Sequence, residues 1–127
     1  MFYLIDSNAI IDYLAAKLPA ASMAKMHRIV NEGLYISVIT QIETLGFQSG
    51  DAQEDINTSN FISLATVLHL TPDIVQQTII LRKLYKIKVP DAIIAATAMV
   101  NNFTLLSHNL SDFNSIEGLR LIDSYTL

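Results

Sequence analysis

The sequence predicts an α/β domain built on a parallel sheet, and three observations point there. Short apolar runs rich in β-branched residues alternate along the chain with longer segments of helical periodicity. Each apolar run is continuous rather than alternating in polarity, as a strand covered on both faces requires. Prolines 72 and 90 open two of the helical segments, in the first turn where a missing N–H leaves no bond unmade.

Residues 2–5 are the first strand. Ser7 and Asn8 supply a helix start, and residues 9–17 read as a helix turning Ile10, Ile11 and Leu14 inward until Pro19 breaks it. A second helix is expected over about 20–31, stopped by Gly33. Residues 34–39 (LYISVI) form the second strand by their β-branched content. Residues 40–47 then turn helical and end near Gly46 and Gly50. Residues 51–64 read as a further helix and 66–70 (TVLHL) as the third strand. From Pro72 onward Ile74, Thr78, Leu81 and Tyr85 share one 3.6-period face. Residues 91–101 are an alanine-rich helix, 103–106 the fourth strand and 119–122 a fifth. No linker, low-complexity tract or internal repeat divides the chain, so a single domain over 1–127 is expected.

Composition narrows the class. Apolar residues make up 51% and charged residues 16% of the chain, against a usual charged share of about 25%. So few charges cannot coat a whole surface, and another chain is expected to cover part of the apolar area. The absence of cysteine excludes disulfides and thiolate metal sites. The N-terminus has no basic region and meets Asp6 early, and no apolar stretch approaches the ~20 residues of a membrane span, so a cytoplasmic protein is the expectation. A net charge of −4 has the wrong sign for a protein that grips nucleic acid over its whole surface. A metal site lined by acids inverts that field locally.

In an open parallel sheet ligands bind beyond the carboxyl ends of the strands, and four acids fall there. Asp6 follows the first strand, Glu43 lies early in the helix after the second, Asp91 begins the alanine-rich helix, and Asp112 comes after the fourth strand. Each has a structural reading: Asp6 and Asp91 as helix N-terminal acids, Glu43 as part of a Thr40–Glu43 capping box, Asp112 as the close of a polar turn. Together, in apolar surroundings, they repel one another unless a cation joins them. An oxygen-only donor set points to Mg²⁺ or Mn²⁺, and such a site supports phosphodiester hydrolysis. Ser7, Asn8, Ser107 and Asn109 are placed to orient waters, hold the carboxylates or grip a phosphate.

The stretches Leu4-Ile5-Asp6-Ser7-Asn8, Val89-Pro90-Asp91-Ala92-Ile93-Ile94-Ala95-Ala96-Thr97-Ala98 and Leu105-Leu106-Ser107-His108-Asn109-Leu110-Ser111-Asp112-Phe113, with the lone Glu43 between them, resemble the PIN domain. The likeness is to its VapC-like toxin branch and runs nearly end to end. It implies a three-layer α/β/α fold with a central parallel sheet of four to five strands. It also implies a Mg²⁺- or Mn²⁺-dependent endoribonuclease, a homodimer, and inhibition by a cognate antitoxin protein of a type II toxin–antitoxin pair. By the family pattern Asp6, Glu43, Asp91 and Asp112 are the catalytic and metal-binding quartet, led by Asp6 and Asp91. Ser7 matches a Ser or Thr position of the family, and Ser107 keeps the hydroxyl of a position more often Thr.

Four of the eight Lys and Arg residues, Arg82, Lys83, Lys86 and Lys88, lead up to Pro90-Asp91 and are candidates for an RNA-contacting rim; the alternative is a solvated helix face. His27, His69 and His108 share no metal-ligand spacing. His69 reads as a core or rim residue, and His108 as a candidate phosphate donor. Met23 and Met26 read as packing residues, or as part of a face met by an antitoxin or second subunit. Two other classes compete. A non-catalytic PIN-fold protein-binding module predicts a lost acid, and none is lost. A phospho-acceptor or phosphatase domain predicts an Asp-x-Asp motif, which is absent, as is a Walker A loop.

Overall fold

The computed structural model describes residues 2–127. Five strands, β1 (Tyr3–Ile5), β2 (Tyr35–Ser37), β3 (Thr66–Leu68), β4 (Thr104–Ser107) and β5 (Leu121–Asp123), form one sheet in the order β3-β2-β1-β4-β5. Every pairing is parallel. Between them run α1 (Ser7–Leu14), α2 (Ala20–Glu32), α3 (Val38–Leu45), α4 (Ala52–Ile62), α5 (Pro72–Leu84), α6 (Val89–Val100) and α7 (Leu110–Phe113), and a 3₁₀ turn (Ser124–Thr126) follows β5.

The central strands split their side chains between two cores. Leu4 and Leu105 face a cluster with Ile74, Leu81, Ile94, Ala95 and Phe113 from α5, α6 and α7. Ile5 and Leu106 face the opposite one, with Ile10, Met26, Ile29 and Ile62 from α1, α2 and α4. This is the three-layer α/β/α arrangement. Leu4, Ile5, Leu105 and Leu106 are wholly buried, each worth about 1.5–3 kcal/mol of transfer free energy. Alanines at 92, 95, 96 and 98, all fully buried, let α6 approach the sheet closely.

Several elements differ from the sequence expectation, each for a local reason. The first helix ends at Leu14, where Ala15 caps it and Ala16 turns left-handed at φ 56°, well before Pro19. Ile11 and Leu14 are not inward: each is 37% exposed. The second strand stops at Ser37, because the Ser37 hydroxyl accepts from the Thr40 N–H at 3.2 Å and starts α3. Ser37 thus replaces the expected Thr40–Glu43 capping box, and the Glu43 side chain is released for another partner. Asp112 sits in the short helix α7 rather than a turn. His69 is exposed, just past the edge strand β3. Met26 is fully buried and Met23, partly buried, packs against the same core.

The apolar surplus lies elsewhere. Ile42, Leu45 and Phe47 are exposed on and after α3, as are Ile79, Ile80 and Leu84 on α5. A groove of about 660 Å³ runs between α1, α3 and α4, lined on its apolar side by Ile11, Leu14, Leu45 and Phe47. Among the described residues no helix is long and apolar enough to cross a membrane.

Candidate functional site

The strand order reverses between β1 and β4, and Asp6 and Ser107 end those two strands. Crevices at such reversals are where open α/β sheets bind ligands. Ser107 Oγ donates to Asp6 Oδ2 at 2.8 Å across this point, and the Asp6 N–H bonds the Leu106 carbonyl at 2.9 Å. Asp6 also caps α1, its Oδ1 accepting from the Ser7 N–H at 2.8 Å. The Asn8 amide adds a third donor, 3.2 Å from Oδ2.

The other acids join through the same small polar side chains. Ser7 Oγ donates to Glu43 Oε1 at 2.7 Å and lies 3.3 Å from Thr40 Oγ1. Ser107 Oγ accepts from the Asn109 N–H at 3.0 Å, and the Asn109 amide donates to Asp112 Oδ2 at 2.7 Å. One hydrogen-bonded chain therefore runs Glu43–Ser7–Asp6–Ser107–Asn109–Asp112. Asp91, in the first turn of α6, stands against this chain without a hydrogen bond to its serines or asparagines.

Burial and mutual repulsion shape the charges. Asp6 is only 3% exposed, and burial raises its carboxyl above the usual range. Ser107, Ser7 and Asn8 work against that rise, and the Glu43 charge adds to it. Asp91 is pushed up to about 6, first by burial, then by the charges of Asp112, Asp6 and Glu43, and by a hydrogen bond with Asp112. The four acids thus lie near enough to feel one another. Among the described residues, however, no three His, Cys, Asp or Glu side chains stand in a ready-made metal-holding geometry. The chemistry of the set, oxygen only and electrostatically overloaded, fits a hard divalent cation.

The supporting residues named from sequence are all here, Ser7, Asn8, Ser107 and Asn109 each making a bond described above. Thr40, buried beside Ser7, escaped notice because it reads as a capping residue. The basic stretch is partly committed: the Arg82 guanidinium donates to the Ile87 carbonyl and holds the α5–α6 loop, while Lys83, Lys86 and Lys88 are exposed. Asp123 ends β5 and donates nothing to the acid cluster, but its carboxylate meets the His108 ring at 2.8 Å. A signal for it existed, since Leu121-Ile122-Asp123-Ser124 repeats Leu4-Ile5-Asp6-Ser7 at the end of another strand.

Replacing Ser107 by alanine removes the buried donor to Asp6 and leaves the Asn109 N–H without its acceptor. We expect a loss of about 1–3 kcal/mol in stability, read as a lower urea midpoint at unchanged slope.

A three-layer α/β/α domain with a parallel sheet and carboxylates gathered at its strand-order reversal defines the class: a layered α/β domain with an acidic cluster at the carboxyl edge. The PIN-domain family model matches residues 3–119, and the chain belongs to that family. Solved structures agree in fold. A chain of the toxin–antitoxin complex from Klebsiella pneumoniae is 27% identical, with a TM-score of 0.73 over 98% of this chain and 99% of that one. A chain of VapBC-1 from nontypeable Haemophilus influenzae is 26% identical, with a TM-score of 0.76 over 98% of both chains. A chain of VapBC2 from Rickettsia felis, bound there to a promoter DNA fragment, reaches 0.80 at 20% identity over 97% of this chain and 98% of that one. No curated protein sequence matches the chain.

Proposed function

We propose that the protein is a metal-dependent endoribonuclease and the toxin member of a cytoplasmic toxin–antitoxin pair. The observation that carries this reading is the hydrogen-bonded chain tying Glu43, Asp6 and Asp112 together at the sheet's reversal point, with Asp91 facing it. PIN domains are in general nucleases that use divalent metal ions. Asp6, Asp91, Glu43 and Asp112 are the residues that would hold Mg²⁺ or Mn²⁺ here, and their mutual repulsion is what a divalent cation relieves. When bound, such an ion supplies Lewis-acid polarisation of the phosphodiester and a more acidic attacking water.

The chain's own residues do the positioning. Ser107, Asn8 and the Ser7 N–H fix both oxygens of Asp6, so this carboxylate loses little freedom on meeting a ligand. Ser7 holds Glu43 by one hydrogen bond, and Asn109 holds Asp112 in the same way. Lys83, Lys86 and Lys88, with Arg82 behind them, are the rim proposed to meet RNA phosphates, a local positive edge on a chain of net charge −4.

The relatives and the exposed apolar surface support the proposed protein partners. The Klebsiella protein is part of a toxin–antitoxin complex. An antitoxin and a second copy of this chain are the two partners proposed to cover the exposed apolar residues of α3 and α5 and the groove beside α1.

The deciding experiment incubates purified, antitoxin-free protein with a mixed RNA pool, with Mg²⁺ or Mn²⁺ and again with excess EDTA. Cleavage that needs the metal is the expected result. No cleavage with either ion, from protein shown to be folded, would favour the non-catalytic binding module instead.

A further inference from the structure

The carboxyl ends of β4 and β5 carry a second polar cluster, which the nuclease reading leaves unused. His108 follows Ser107 directly, so its Cα lies about 3.8 Å from that of the residue holding Asp6. Its main-chain N–H donates to Asn8 Oδ1 at 2.9 Å, and the same amide donates to Asp6. The ring is pinned as well. Nδ1 lies 2.8 Å from Asp123 Oδ1, and one face stacks on Tyr125 with centroids 3.9 Å apart and planes 27° apart. Tyr125 is anchored in turn: its hydroxyl donates to Asp12 Oδ2 on α1 and its N–H to Asp123 Oδ1, both at 3.0 Å.

Asp123 stays a carboxylate. Burial works to raise it, but hydrogen bonds from the Tyr125 N–H and His108, with the His108 charge, hold it below the usual range. A carboxylate on Nδ1 makes that nitrogen the donor and leaves Nε2 as the free one. The His108 side chain is nevertheless 48% exposed, against 16% for Asp123. Ordering a side chain this fully while half of it stays in water costs rotamer entropy that burial does not return. A ring so held, beside an acid pocket, is pre-organised for a ligand.

Resting on the nuclease reading, we propose that His108 contacts a backbone phosphate of the single-stranded RNA on the β5 side of the acid pocket, with Asp123 and Tyr125 as its positioning residues. The sheet order sets Glu43, Asp6, Ser107 and His108 in a row from β2 toward β5. An RNA strand laid over the acids to be cut has its flank on the β5 side over His108. In its protonated form the ring offers an Nε2–H for a charge-assisted hydrogen bond to a phosphate oxygen, while Asp123 holds Nδ1. The groups facing the ring are Asp123 from β5 and Tyr125 from the 3₁₀ turn, itself backed by Asp12 of α1.

The test measures binding of short fluorescein-labelled single-stranded RNA of random sequence by anisotropy. It uses the Asp91→Asn background, so that cleavage does not intervene, in Mg²⁺ at pH 6 over a salt series. His108→Phe keeps a ring on Tyr125 but has no nitrogen. It is expected to weaken binding about tenfold, as the loss of one charge-assisted hydrogen bond does. The salt slope should fall by about 0.7, one phosphate contact on a single strand. His108→Ala should do the same, and His108→Arg should restore most of both. Unchanged affinity and slope in His108→Phe and His108→Ala, with or without a lower melting temperature, would overturn the proposal and leave the nuclease reading standing. Failure of the Asp91→Asn parent to bind RNA, with no cleavage by the wild type, would overturn both.

Discussion

Asp91→Asn is expected to cut RNA cleavage at least about 100-fold, since even losing a partner of a metal ligand costs up to that much. The same substitution should make the metal-free protein more stable at neutral pH. Asp91 is pushed up to about 6 from 3.8, so the folded protein binds this proton more tightly than the unfolded chain. The stability this provides is full below about pH 4 and is lost as pH rises through about 6. At pH 7 the folded state carries an unfavourable charge that asparagine removes at nearly equal volume. The shift alone converts to about 3 kcal/mol, but Asp91 is partly solvated, and screening reduces the expected gain to about 1 kcal/mol. That is a rise of roughly 4 °C in melting temperature for a chain of this size. Melting curves in EDTA at pH 4 and pH 7 check it: the variant's advantage should appear only at the higher pH. Mg²⁺ should then stabilise the wild type more than the variant, because binding to the folded state alone raises stability. A variant that melts like the wild type at both pH values would remove the electrostatic account of the pocket.

Phe113→Ala is expected to cost about 3–5 kcal/mol, a large share of the 5–15 kcal/mol of a typical domain. Phe113 is 1% exposed and packs with the α5–α6 core, yet it belongs to α7, a single turn too short to hold itself. Its ring is what pins α7 to the domain, and α7 carries Asp112. Losing the ring should therefore lower cleavage as well as the urea midpoint, under conditions where the variant is still folded. Phe113→Leu, which keeps most of the volume, should cost under about 1.5 kcal/mol and keep activity. Equal stability of Phe113→Ala and the wild type would mean that packing does not set the position of Asp112.

Sequence and structure agree where local signals are strong. The apolar runs at β1 and β4, the prolines opening α5 and α6, and the face of Ile74, Thr78 and Leu81 all stand as expected. Element ends were less legible. Ser37 and Thr40 both look like caps; Ser37 takes the role, and Ser7, a residue 36 positions before Glu43, takes up the glutamate. Ile11 and Leu14 were expected to face inward from their spacing alone, yet the core beneath α1 is already filled by Ala9 and Ile10.

By itself the sequence determined a parallel α/β domain and the placement of Asp6, Asp91 and Asp112 near the carboxyl ends of its strands or the starts of its helices; Glu43, read as early in its helix, stands in the second turn of α3, because Ser37 starts that helix sooner. Those features are written in hydrophobic period, proline position and the order of elements, all of which act over a few neighbouring residues. Tertiary structure alone decided the strand order, the bond from Ser107 to Asp6 across its reversal, and the pairing of His108 with Asp123. These contacts join residues far apart in the chain. Their partners are chosen by which helices can bury both faces of the sheet at once, a condition on the whole fold that no local pattern expresses.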